Sequence, residues 1–392
     1  MTKTIAATSL APLYLAGFTT AFGAHGVASV LGAETDDIGM TLLGLGVVLA
    51  LYDMAEVLLK PLFGVLADRI GPKPVIVGGL AAFAIASLCA LVSPAPLALA
   101  LARLGQGAAA SAFSPASSAA VARLAGKERL GRYFGRYGAW KSLGYAAGPL
   151  IGVALATAWN IQTVYIALAV LASGAAAWVL IALPAVPPVP RTRYTVADLV
   201  RQTVERGFLV PTLLLATTTA VLGVAVGFLP LLATRLGLHP LVGAAAVALL
   251  ALASTALQPF VGRLRDTGRI SARTGGLAGL ALAAASLALL ALLPHAVTLF
   301  VAALAVGAMT GTVTPLAFAH LADSTPDDRM GRTMGNAELG RELGDAGGPL
   351  LVGAIATAAT LPVALGTLAG ISLAVGAVGW GALAPPAPPS DG

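Results

Sequence analysis

Three ionisable residues, Asp53, Glu56 and Lys60, interrupt the apolar run "LYDMAEVLLKPLFGVLADRIG" at residues 51–71. At spacings of i, i+3 and i+7 they share one narrow face of a helix that turns about 100° per residue. Glu56 and Lys60 also stand in the favourable acid-then-base order at i, i+4. A second stripe lies far along the chain, where Glu338, Arg341, Glu342 and Asp345 fall within about 100° of one another on a helical wheel. Arg103, Lys141 and His25 are further polar groups inside apolar runs. A charge removed from water is costly unless it is paired, and ionisable groups at such depth mark ion or proton pathways. The chemistry open to these residues is ion pairing that protonation can break. The acids outnumber the nearby bases, which leaves a carboxylate free to carry a proton. His25 is able to titrate near neutral pH, or simply to hydrogen bond.

The elements that must position these groups follow from composition. The 392 residues have a mean hydropathy of +0.89, with 58% hydrophobic and only 10% charged residues, against roughly 25% charged in soluble domains. Crossing a hydrocarbon core takes about 20 apolar residues. Such runs occupy 9–31, 38–63, 74–92, 95–121, 134–157 and 161–183, then 208–233, 240–261, 273–293, 296–321, 333–358 and 360–383. The expectation is an all-α polytopic membrane protein of twelve transmembrane helices. Counted from Gly64 at about 1.5 Å per residue, Lys60 lies ~6 Å deep, Glu56 ~12 Å and Asp53 ~16 Å. A lysine stem can snorkel to the interface from there, and the carboxylates cannot.

The net charge of +6 does not indicate nucleic acid, because the basic residues follow topology. Loops after even-numbered spans hold Arg69, Lys73, Arg123, Lys127, Arg129, Arg132, Arg191, Arg193, Arg201, Arg206, Arg263, Arg265, Arg269, Arg329 and Arg332, whereas the opposite loops hold little beyond Arg235. The positive-inside rule then places both termini in the cytoplasm. Cys89 is the single cysteine, so no intrachain disulfide forms. The first apolar stretch reads as a retained helix rather than a cleaved leader.

The chain divides into two related halves. Residues 1–183 form one set of six spans and 208–384 the other. Between them, 184–207 is a Pro-rich cytoplasmic linker ending in a short amphipathic piece, and 385–392 is a tail expected to be disordered. A shift of 200 residues aligns "SPASSAAVARLAGKERLGRYFGRYGAWKSLGYAAGPLIG" with "TPLAFAHLADSTPDDRMGRTMGNAELGRELGDAGGPLLV" without a gap, so that Pro115 meets Pro315, Lys141 meets Arg341 and Pro149 meets Pro349. Parallel repeats of this kind occur in secondary transporters, whose substrate site lies between the halves.

Four short motifs add a family resemblance over essentially the whole chain. "GVLADRIGPK" resembles the GxxxDRxGRK signature of the major facilitator superfamily between its second and third helices, matching at Gly64, Asp68, Arg69, Gly71 and Lys73, with Pro72 in place of a basic residue. "GRLRDTG" is a degenerate copy, with Gly262 and Asp266. "RLGQGAAAS" from Arg103 resembles the family's RxxQG, and "GYAAGPLIG" resembles the GxxxGPxxG associated with antiporters, through Gly144, Gly148, Pro149 and Gly152. On their own physics, Gly144, Gly148 and Gly152 make a small-residue stripe for close helix packing, and Pro149 favours a bend. Asp68 is placed to cap the third helix or to face a neighbouring helix N-terminus.

The resemblance implies two pseudo-symmetric six-helix bundles, a cytoplasmic brace at Gly64 to Lys73, a part in proton transfer for Arg103, and helices two and eleven facing each other across the halves. The combined expectation is an ion-pair network at that interface in which Glu56 and Lys60 meet Arg341 and Glu338 or Glu342. The function implied is a proton-coupled exporter, an antiporter in the cell membrane that moves hydrophobic or amphipathic small molecules by alternating access, as in the drug and proton antiporter branch. Its cavity is expected among helices one, four, seven and ten, with the threonines at 19–20 and 217–219 as polar lining. It is expected to act as a monomer without a cofactor, drawing on the proton gradient. An organic anion or metal complex carried on Arg103, Lys141 and Arg341 is the alternative, and a non-transporting receptor or lipid scramblase a second. No HExxH, GxSxG, phosphate loop or Cys–His cluster points to an enzyme.

Overall fold

Proline at a helix start and glycine in the left-handed region punctuate the apolar runs. Gly71 (φ 87°) turns the chain so that Pro72 opens the next helix, and Gly126 (φ 71°) ends the fourth. Asn160, Ser271 and Thr360 each accept a hydrogen bond from a first-turn backbone N–H and so cap the helix that follows. The computed structural model describes residues 10–33, 42–93, 95–188 and 205–383. The acidic loop at 34–41, most of the inter-half linker with its amphipathic piece, and the tail lie outside the described residues.

Among the described residues there are twelve α-helices: α1 Ala11–Ala33, α2 Leu42–Ile70, α3 Pro72–Cys89, α4 Pro96–Ala125, α5 Leu130–Ala158, α6 Ile161–Ala182, α7 Arg206–Arg235, α8 Pro240–Asp266, α9 Ala272–Leu292, α10 Ala296–Ser324, α11 Met330–Ala358 and α12 Leu361–Ala382. Each matches an expected span, but α2, α4, α5, α8, α10 and α11 all continue beyond the apolar run at the same end of the molecule. Hydropathy misses these last turns because they carry Asp68, Arg123, Arg265 and Asp266 and are held by polar contacts rather than by lipid. Among the described residues, seven helices are long and apolar enough to cross a membrane, namely α3, α6, α7, α8, α9, α10 and α12. The other five, α1, α2, α4, α5 and α11, carry all the ionisable candidate residues except Lys73, which stands in the first turn of α3.

Helix contacts repeat from half to half. Helix α1 packs on α5 and α6, α2 on α4, and α3 on α4 and α6; α7 packs likewise on α11 and α12, α8 on α10, and α9 on α10 and α12. The halves meet along two seams, α2 against α11 and α5 against α8, which exchange places under the repeat. Leu150, Ile181 and Leu350 are among many large apolar side chains on the outside, 62%, 83% and 72% exposed, as a lipid-facing surface requires.

Both seams are closest at the end bearing Asp68 and Asp266. A Cβ on Gly64 would stand 2.5 Å from the carbonyl oxygen of Gly331, far inside van der Waals contact. Gly131 and Gly262 meet in the same backbone-to-backbone way across the other seam. Only glycine permits this approach, so at this end the halves are closed upon each other.

Candidate functional site

Two acid-to-backbone clamps hold the closed end. The carboxylate of Asp68, at the end of α2, accepts the N–H groups of Gly331 at 2.8 Å and Arg332 at 2.9 Å, the unsatisfied donors of the α11 N-terminus in the other half. Asp266, at the end of α8, accepts the N–H groups of Gly131 and Arg132, both at 2.8 Å, at the start of α5. Of the two roles open to Asp68, the structure selects the neighbouring N-terminus. The basic partner of Asp68 is Arg123, whose guanidinium also donates to the Asp327 carbonyl at 3.0 Å. Arg69, assigned to the brace by its motif, is exposed. Lys73 instead donates to the Leu183 carbonyl at the end of α6, at 2.7 Å.

Deeper along the α2–α11 seam lie the ion pairs. The Lys60 ammonium is 2.5 Å from Glu342 of α11 and 3.2 Å from Glu56 of its own helix, with no exposed side-chain surface. The snorkelling expected of Lys60 is therefore corrected: two carboxylates hold its head group inside. Glu338 turns away from α2, toward Lys141 of α5 at 3.0 Å, Arg341 at 3.2 Å and the Ser118 hydroxyl of α4 at 3.1 Å. The expected pairing of Glu56 with Arg341 is also corrected, because Arg341 is taken up by Glu338 one turn away. Two clusters result, Glu56–Lys60–Glu342 and Lys141–Glu338–Arg341, and each crosses between the halves.

A polar cavity of about 160 Å³ opens beside them, on the far side from Asp68, with Thr20, His25, Asp53, Glu56, Arg103, Lys141, Tyr145, Glu342 and Asp345 in its wall. Asp53 and Asp345 make no ion pair among the described residues; Asp53 is exposed and Asp345 half-buried. Arg103, 2% exposed, makes no ion pair with a carboxylate among the described residues. Its guanidinium lies 4.2 Å from the centre of the Tyr52 ring and points at the Gly23 and Ala24 carbonyls and at Gln106. Carbonyls at the cavity wall and an aromatic face thus take the place of the acid that sequence reading sought at its depth.

A second, mainly apolar cavity of about 300 Å³ adjoins the first and shares His25 and Tyr145 with it. These two rings lie tilted by 44° to each other with centroids 4.2 Å apart. Leu222, Val226 and Pro230 of α7, Val247 and Ala251 of α8, and Pro149 and Leu150 of α5 line it, with Ser142, Ser254 and Thr310 as polar groups. The expected lining by helices one, four, seven and ten is corrected: α5 and α8 form much of the wall, and α4 reaches only the polar cavity, through Arg103. The threonines are largely turned away. Thr19 and Thr218 bond back to their own helices, and Thr219 donates to the Arg341 carbonyl at 2.7 Å.

The glycine stripe of α5 packs within its own half. Gly144, Gly148 and Gly152 abut Phe18, Phe22 and Gly26 of α1. Sequence reading missed Arg123, Ser118, Ser142, Gln258 and Ser254. Serine and glutamine carry no hydropathy signal strong enough to stand out, and Arg123 looked like one more topological cation.

A family model described as Major Facilitator Superfamily matches residues 13–297 and 213–392. The chain is 27% identical over 150 residues to an uncharacterized MFS-type transporter of Methanocaldococcus jannaschii, covering 38% of this chain and 39% of that protein. It is 37% identical over 121 residues to a chloramphenicol resistance protein of Pseudomonas aeruginosa, covering 30% of this chain and 29% of that one. The chain thus matches about two fifths or less of the length of these curated relatives. The crystal structure of the human organic anion transporter MFSD10 superposes with a TM-score of 0.77 over 95% of this chain and 97% of that one, at 19% identity, a likeness of fold.

Proposed function

Because this chain belongs to the Major Facilitator Superfamily, and so is a multi-pass membrane transporter rather than an enzyme, we propose that it is a proton-coupled exporter of hydrophobic or amphipathic small molecules. It exchanges them for protons by alternating access in the cell membrane, with both termini cytoplasmic. The observation that carries this reading is the Lys60 ammonium held between Glu56 and Glu342 across the two halves, beside a cavity lined by further carboxylates. Opening the closed end separates Lys60 from Glu342, and a buried charge left without its partner is costly. A proton on the carboxylate removes that cost, which links proton binding to opening. The positive-inside distribution of Arg and Lys supports a cytoplasmic position for the closed end, and the apolar wall from α5, α7 and α8 suits an apolar cargo.

The similarity to a chloramphenicol resistance protein supports export of a drug-like compound. Reconstituted protein with a pH-sensitive dye inside the vesicles tests the reading. Adding such compounds under an imposed pH gradient is expected to accelerate proton flux. Flux indifferent to every compound would overturn the proposal.

A second reading, transport of an organic anion, is favoured by one observation: Arg103 lies in the cavity wall without an ion pair to a carboxylate among the described residues. Lys141 and Arg341, its companions in that reading, are already committed to Glu338. Binding that survives neutralising all three bases would rule it out.

A further inference from the structure

The repeat carries the ion-pair seam into a neutral copy of itself. Gly262 and Asp266 stand 198 positions after Gly64 and Asp68 and make the same contacts with the partner helix. The same step of 198 takes Glu56 to Ser254, Lys60 to Gln258 and Pro61 to Pro259, while the step of 200 between α5 and α11 takes Ser142 to Glu342. The contacts are conserved in kind. The Gln258 amide donates to Ser142 across the seam at 2.7 Å and to Ser254 of its own helix at 3.0 Å, and the two serine hydroxyls lie 3.1 Å apart. Lys60 holds Glu342 and Glu56 from the equivalent place. One seam is thus closed by an ammonium between two carboxylates, the other by an amide between two hydroxyls.

Resting on the proton-coupled reading above, we propose that Ser142, Gln258 and Ser254 are positioning residues that clasp the closed end independently of pH. The protonation response then belongs to the α2–α11 seam alone. Serine and glutamine do not titrate in the biological range, so the clasp contributes the same holding strength in every protonation state. It keeps the halves in register while the charged seam changes.

The surroundings agree with this division. Lys60 is faced by Glu56 and Asp53 of α2, Tyr137 and Lys141 of α5, and Glu338, Glu342 and Asp345 of α11, and the polar cavity beside this cluster adds His25 of α1, Arg103 of α4 and Tyr145 of α5. Gln258 shares a small cavity with Tyr137, Lys141 and Tyr145 of α5 and Arg341 of α11, with no carboxylate or histidine in that wall, while Ser142 and Ser254 also line the apolar cavity, whose titratable groups are His25 of α1 and Tyr145 of α5. Lysine, arginine and tyrosine ordinarily change charge only near pH 10 or above. Glu338, the acid that reaches Lys141, is turned to Lys141, Arg341 and Ser118. Gly138 is part of the fit: a Cβ there would collide with the Gln258 side-chain oxygen.

The test uses the full chain in lipid nanodiscs, with Cys89→Ser removing the native thiol. Spin labels at Ile70→Cys and Ser324→Cys, both exposed at the closed end of opposite halves, report the ratio of open to closed molecules from pH 5 to pH 8.5. In the otherwise unaltered chain the open fraction is expected to rise as pH falls. Glu56→Ser with Lys60→Gln and Glu342→Ser writes the neutral clasp into both seams, and is expected to stay closed with a flat pH response. Ser142→Ala with Gln258→Leu is expected to raise the open-to-closed ratio by one common factor, about tenfold, at every pH. Gln258→Glu, nearly isosteric and a guard against loss of fold, is expected to add a second pH-dependent step.

An unaltered pH response in the neutral-copy variant overturns the assignment, as does a change of pH slope or no change of ratio in the Ser142→Ala/Gln258→Leu variant. A flat response in the unaltered chain would instead defeat the proton-coupled reading. In that case the common factor from the clasp variant still decides whether the clasp holds the closed end.

Discussion

The ammonium of Lys60 and the carboxylate of Glu342 meet at 2.5 Å across the boundary between the two halves, with the Lys60 side chain fully buried and Glu342 half-buried at the wall of the polar cavity. The same lysine is 3.2 Å from Glu56, so one cation serves two acids from opposite halves of the molecule. Around this contact the closed end is organised, with glycine backbones touching below it and the cavities lying above.

Removing the cation alone is expected to be severe. Lys60→Met leaves Glu56 and Glu342 buried without a counter-charge, a change of about 3–5 kcal/mol for a broken buried pair. Thermal unfolding in detergent should show a clear fall in Tm, with much of it regained when Glu56→Gln and Glu342→Gln are added. A triple variant no more stable than Lys60→Met alone would contradict the pairing.

The Asp68 clamp makes a separable prediction. Each hydrogen bond to a charged group contributes about 1.5–3 kcal/mol, and Asp68 makes two to the α11 N-terminus. Asp68→Ala is therefore expected to open the seam and to speed thiol labelling of Ala337→Cys, a buried position on α11, at least about tenfold in a Cys89→Ser background. Asp266→Ala should act on the other seam in the same sense.

Glycine at the seam gives a steric test. No side chain fits between Gly64 and Gly331. Gly64→Val is expected to leave a folded protein that cannot close at this end, with normal yield and substrate transport abolished. Transport at the unaltered rate would show that the close approach is dispensable.

The carboxylates without ion partners should affect coupling more than stability. Asp53 and Asp345 line the polar cavity and make no ion pair among the described residues. Asp53→Asn and Asp345→Asn break no ion pair among the described residues and are expected to change unfolding stability by only about 0.5 kcal/mol, while reducing gradient-driven transport several-fold.

The twelve helices follow from apolar runs alone, because lipid imposes length, whereas the facing of α2 and α11 is what the family resemblance implies, and the two charge stripes only agree with it. Which acid meets which base follows from neither. Glu338 and Glu342 differ by about 40° around α11, and that difference sends one to Lys141 and the other to Lys60. Helical wheels resolve a face but not the rotation of two helices against each other, so partners such as Arg341 for Glu56 were misassigned. Helix ends were shortened for the related reason that hydropathy stops where Asp68 and Asp266 begin. The neutral seam was hidden because its members are uncharged, although the copy of the Gly64 motif at Gly262 gave the register that finds it.

The central claim is that protonation of the acids around Lys60 drives opening and so couples transport to protons. Glu56→Gln with Glu342→Gln, reconstituted in vesicles with an imposed pH gradient, tests it most directly. The account predicts that the variant still exchanges a transported drug across the bilayer but no longer accumulates it in response to the gradient. Undiminished gradient-driven accumulation by the folded variant would contradict the account.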